Sequence, residues 1–206
     1  MFNEKIKGEA MTEETLLLAT IRMNIKFALA SVRCIIDIPE FDERIFESRH
    51  VYYFFHLQSL LTACGNITSA FFDSKPYSAI NRETRRYDKG IYRQIEESTR
   101  RFRDNYGITR DRYHLIFQKE MRNTVIHSNE RIIEHNGQMG DFNLIDVNTP
   151  PDVVNTILRT PHLRTLDLHS MCYYTYDRRK RQIMVNLHEL EHQLVELQNA
   201  VGEMEW

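Results

Sequence analysis

Between residues 12 and 72 the chain carries two long stretches of helical period with Pro39 between them, and nothing else in it constrains the fold as much. In 12–37, Leu17, Ile21, Ile25, Ala28, Val32 and Ile35 recur every three or four residues, the spacing of a single helix face. Thr12 is placed to cap this helix, and Glu13 and Glu14 put negative charge where the helix dipole favours it. Pro39 cannot continue it. In 42–72, Phe54, Leu57, Leu61, Cys64, Thr68 and Phe71 form a second stripe. Gly65 inside that stripe costs about 1 kcal/mol relative to Ala and lets another helix approach closely. Only 7 glycines and 5 prolines occur in 206 residues, which favours long helices over a turn-rich β protein.

Beyond Phe72 the character changes. Residues 73–108 are polar and broken by Pro76, Gly90 and Gly107, so short helices are expected. A third long helix is expected from Thr109, a good N-cap, to His135, with Gly137 as its stop. HNGQMGDFNLIDVNTPPD reads as a loop ahead of a short segment, 152–159. Tyr174, Tyr176, Ile183, Val185 and Leu187 support two short strands in a hairpin around DRRK. A last helix, 188–201, carries Leu190, Leu194, Leu197 and Val201. The expected fold is mainly α, an up-and-down helical bundle with a short C-terminal β-hairpin and terminal helix. It is read as one domain: 1–11 flexible, 12–136 the bundle, 137–206 the loop, hairpin and last helix.

The formal charge of −2 announces neither a nucleic-acid nor a membrane field. Cys34, Cys64 and Cys172 are odd in number and far apart, which points to reduced thiols in a cytoplasmic protein. The N-terminal residues lack the apolar core of a signal peptide. Arg22, Lys26 and Arg33 interrupt the most apolar windows, so no membrane span is expected. One segment stands out: from Arg82 to Arg112, ten Lys and Arg face six Asp and Glu. Arg82, Arg85, Arg86, Arg100, Arg101 and Arg103 are its candidate RNA-binding residues, unless the segment is simply a solvated face of mixed charge.

Two motifs carry candidate chemistry. His188-Glu189-Leu190-Glu191-His192 has the literal HExxH spacing of a zinc hydrolase. Val195 and Gln198 stand where a longer zinc motif needs Gly and His, and the chain has nearly ended where a downstream carboxylate would lie. A solvated helix accounts for it, and no metal or cofactor is expected. The other motif is Arg122-Asn123-Thr-Val-Ile-His127. On a helix Asn123 and His127 share a face. Arg122 lies about 140° round the axis from His127, so only a long side chain brings its charge to the same place. His127 can exchange protons near neutral pH, Arg122 can fork onto a phosphate, and Asn123 can orient either. The spacing also suits an ordinary wet helix face. Tyr52, Tyr53, Phe54 and Phe55 cover more than one helix face, which core packing or an oligomer contact would explain. His50 and His56, on the same helix, read as structural.

The motif RNTVIH in EMRNTVIHSNERI resembles the arginine–histidine signature of the HEPN superfamily. The helix FFHLQSLLTACGNITSAFF is similar to the one that pairs with the motif helix in abortive-infection-type members. The ending CYYTYDRRKRQIMVNLHELEHQLVEL resembles the tail of some of them. This resemblance, over about 12–200, implies a helical bundle whose motif helices meet across a homodimer. It implies a metal-independent endoribonuclease acting as a toxin or defence effector, with Arg122 and His127 catalytic and Asn123 assisting. Its partners would be RNA, a second copy, and an antitoxin or regulatory protein. The family also contains non-catalytic binding and scaffold modules.

Overall fold

The computed structural model describes residues 13–37, 48–72, 89–118, 120, 121, 123, 140–146, 148–159, 162–177 and 181–202. Residues 1–11, expected to be flexible, lie outside these. Helices α1 (Glu13–Ile36) and α2 (Arg49–Phe72), 24 residues each, run antiparallel. Tyr52 Oη donates to Cys34 O at 3.2 Å and Asn66 Nδ2 to Asn24 Oδ1 at 2.9 Å, tying the start of one to the end of the other. Helix α1 buries Ile21, Ile25, Ala28, Val32 and Ile35, the stripe read from the sequence. Burying each of its three isoleucines is worth roughly 1.5–3 kcal/mol. By length and composition alone, Glu14–Ile36 passes the test for a membrane span, a test that buried core helices pass as well. Its apolar stripe is nonetheless packed against protein on two sides, α2 and the last helix. Ser48 Oγ accepts from Val51 N at 3.3 Å, so α2 is capped at its first turn.

Helix α3 (Lys89–Tyr106) is 18 residues long, one helix where short pieces were expected. It stops at Gly107, whose φ of +63° favours glycine. Ile108 N donates to Arg103 O and Gly107 N to Asp104 O, closing the last turn in the paired pattern of a glycine C-cap. Thr109 Oγ1 accepts from Arg112 N at 3.3 Å, but the turn it holds opens no regular helix. The long helix does not follow: residues 110–117 form consecutive turns. Tyr113, Leu115, Ile116 and Phe117 are buried there while Arg110, Asp111, Arg112 and His114 stay exposed, so the segment plugs the core with its apolar residues. Helical backbone resumes at Glu120, Met121 and Asn123.

The remaining elements are β1 (Gly140–Ile145), α4 (Pro151–Arg159), β2 (His162–Asp167), β3 (Cys172–Tyr176), β4 (Gln182–Asn186) and α5 (Leu187–Val201). The strands form one mixed sheet in the order β1-β2-β3-β4. β1 and β2 are parallel, which requires a crossover, and α4 is part of it. The other pairs are antiparallel. Leu166, Tyr173 and Val185 face one another across the register and are fully buried, a row that seats the sheet on the helices. Phe142 of β1 meets Phe54 and His50 of α2 edge-on, with ring centroids 5.1 and 4.8 Å apart.

The expected helical bundle is therefore corrected. Among the described residues there are five helices and a four-stranded mixed sheet, an α/β mixture and not an all-α fold with a hairpin appended. The expected hairpin is β3 and β4. The expected loop contains β1, and β2 was not foreseen.

Candidate functional site

Arg122 and His127 lie outside the described residues, as do Arg82, Arg85 and Arg86. Asn123 is helical and half-buried, two residues after the buried Met121. The chain just ahead of it is fixed. Thr68 Oγ1 donates towards Ile116 O at 3.1 Å, and Gln193 Oε1 accepts from Leu115 N at 3.0 Å. Phe117 packs edge-on to Phe72 at 4.6 Å. The motif thus begins from a shelf held by α2 on one side and α5 on the other.

The basic segment divides by role. Arg100 and Arg101 are exposed on α3, interleaved with exposed Arg93 and Glu96. Arg103 is half-buried: Nη1 donates to Phe71 O at 2.7 Å, and its guanidinium lies 4.8 Å over the Phe72 ring. Arg110 covers the same ring at 4.5 Å. Two cations drawn onto one phenylalanine anchor α3 and the turn segment to the end of α2.

The HExxH residues lie on α5, with His188 and His192 exposed. Glu189 is used locally: its backbone N–H is capped by Asn186 Oδ1 at 3.0 Å, and its carboxylate lies 3.5 Å from His114 Nε2. His114 Nδ1 lies 3.2 Å from Gln193 Nε2, so both ring nitrogens are engaged. No three His, Cys, Asp or Glu side chains gather as a metal-binding group among the described residues.

What the sequence reading missed is a groove of about 650 Å³ on the outer face of α1 and α2. Phe27 and Phe55 border it, 57% and 53% exposed. Ser31 and Ala63, both buried, form its floor. Cys34 and His56 also line it. Burial lowers the His56 pKa, which favours the neutral ring. Part of the signal was in the aromatic run Tyr52–Phe55, whose Phe54 and Phe55 line the groove, and in Phe27, off the core stripe of α1. Also missed was Arg164 on β2, a buried cation donating to Gln58 Oε1 at 2.8 Å and lying 4.8 Å over Phe54. It links the sheet to α2.

No protein-family model, curated protein or solved structure matches this chain.

Proposed function

We propose that the chain is a metal-independent endoribonuclease of HEPN type acting as a homodimer, a toxin or defence effector. The observation that carries this is the sequence Arg122-Asn123-Thr-Val-Ile-His127. Its support from the fold is local: Asn123 is helical and half-buried, and the chain just ahead of it is held by α2 and α5. In the reaction, a ribose 2′-oxygen attacks phosphorus and the bond to the 5′-oxygen breaks. The proton lost by the 2′-hydroxyl is balanced by one gained at the departing 5′-oxygen. His127 moves protons, Arg122 stabilises the charge on the phosphate oxygens, and Asn123 orients them. The products are a 2′,3′-cyclic phosphate and a 5′-hydroxyl.

The test is cleavage of a mixed RNA pool in EDTA, with chemical identification of the new ends. His127→Ala and Arg122→Ala are each expected to lose on the order of 10²–10⁴ in rate while remaining folded. Both variants cutting like the wild type would remove this assignment.

A second reading is a non-catalytic HEPN-like binding module. Arg103 favours it: its guanidinium is used to fasten α3 to α2, which thins the basic surface left for RNA. This reading expects intact RNA and only weak binding that falls steeply with salt.

A further inference from the structure

Three polar side chains that line the α1–α2 groove keep a hydrogen-bonding group that the fold does not use. Arg164 can only donate, so Gln58 presents Oε1 to it at 2.8 Å, which leaves the Nε2 donor for the groove. The carbonyl of Thr20 can only accept, so Asn24 gives Nδ2 to it at 2.8 Å and Oδ1 to Asn66 Nδ2 at 2.9 Å. Asn66 Oδ1 is left as an acceptor. Ser31, 6% exposed, lines the same groove, and its hydroxyl makes no hydrogen bond among the described residues. A buried hydroxyl without a bond carries a desolvation cost that an incoming polar atom removes. We propose that the groove binds an uncharged, mainly apolar small molecule that carries a carbonyl acceptor for Gln58. The proposal rests on no part of the ribonuclease reading.

The volume, about 650 Å³, lies within the roughly 300–1,000 Å³ of small-molecule clefts. Phe27, Phe54 and Phe55 supply apolar walls, and Ala30 and Ala63 leave the space between them. Gln58 and Asn66 are two turns apart on α2, about 12 Å along the axis. A molecule that reaches both is elongated, with an acceptor at one end and a donor at the other. Its charge is set by what is missing: no Asp, Glu, Lys or Arg lines the groove. A charged ligand would lose hydration there with no opposite charge to replace it. Burial of His56 favours its neutral ring, so the imidazole adds no charge. The buried Arg164 then has a role beyond joining the sheet to α2: it fixes which end of the Gln58 amide the ligand meets.

The probe is Nile red, an uncharged flat dye with one ring carbonyl, titrated by fluorescence against the full chain. Saturable one-to-one binding is expected. Gln58→Glu keeps an oxygen for Arg164 but removes the donor, and is expected to weaken binding on the order of 10-fold or more. Ala30→Trp fills the groove from an exposed position and is expected to abolish it, with circular dichroism retained. Bound dye is also expected to slow alkylation of Cys34 by N-ethylmaleimide, since Cys34 lines the groove while Cys64 and Cys172 are buried. The anionic dye 1-anilinonaphthalene-8-sulfonate is expected to bind on the order of 10-fold more weakly than Nile red. Absence of saturable Nile red binding overturns the proposal. So does binding that survives both variants, equal affinity for the anionic dye, or equal loss in Met184→Ser, which would put the dye on the sheet. Binding that disappears as sedimentation shows the chain pairing overturns it too, because a second copy would then hold the groove. Intact RNA in the cleavage assay leaves the proposal standing and counts against the ribonuclease reading alone.

Discussion

Tyr113 buries its whole ring, yet its hydroxyl has no hydrogen-bond partner among the described residues. Burial pushes its pKa up, only partly opposed by Arg112, whose guanidinium lies 5.2 Å over the ring. The hydroxyl therefore carries a desolvation cost without a matching bond. Tyr113→Phe is expected to leave stability unchanged or raise it by about 1 kcal/mol, measured as the urea midpoint at constant slope. A clear loss would mean that the oxygen is bonded after all. Arg164 is buried with Nη1 on Gln58 Oε1 and its guanidinium over the Phe54 face, while its Nε, like the Tyr113 hydroxyl, is buried without a hydrogen bond among the described residues.

At the scale of elements, α5 depends on its cap. Asn186 is extended and its side chain accepts from Glu189 N, so Asn186→Ala is expected to cost about 1 kcal/mol in denaturant unfolding. An unchanged midpoint would show that packing of Leu187 and Leu190 alone starts the helix. Helices α1, α2 and α5 were legible because their buried residues are apolar and periodic. Strand β2 was not: Arg164, Thr165 and Asp167 are buried along it, so polar letters occupy core positions. Asp167 is spent on the following turn, accepting from His169 N and Ser170 Oγ. Strand β1 was hidden by Gly140, Asp141 and Asn143, turn formers held in a strand by the pairing of β1 with β2. Segment 109–118 had a helix start and helical apolar content: Tyr113, Ile116 and Phe117 share one face, but Leu115, buried as well, lies on the opposite side and its N–H is taken by Gln193 Oε1. The arginine–histidine motif was legible as letters alone. The groove was not, because Ala30, Ser31 and Ser59 carry no signal until two helices set them side by side.

For the whole molecule, the buried titratable groups bracket its stable range. Burial pushes the Cys64 thiol from 9.0 to about 12, so the unfolded chain ionises it first. Its contribution is full below pH 9.0 and is lost as pH rises towards about 12. Tyr52, Tyr53 and Tyr174, also raised by burial, add to that alkaline loss. His56 acts at the other end. Its folded pKa lies below 6.5, so the unfolded chain takes up the proton first and stability falls as pH drops beneath 6.5. Thermal melting temperatures are expected to be flat between these limits and to decline on both sides, with His56→Asn softening the acid decline. An acid limb unchanged in that variant would place the sensitivity elsewhere.

Arg22 of α1 donates through Nε and Nη2 to the carbonyl of Val201, at 3.0 and 2.6 Å, across 179 residues of sequence. Ribosomes add roughly 5–20 residues each second, so this clasp closes roughly 10–40 s after Arg22 is made. For that interval α1 has no α5 to cover its second side. This long apolar helix is thus made well before the helix that covers its second side, which makes it a natural client segment for a chaperone working at the ribosome exit.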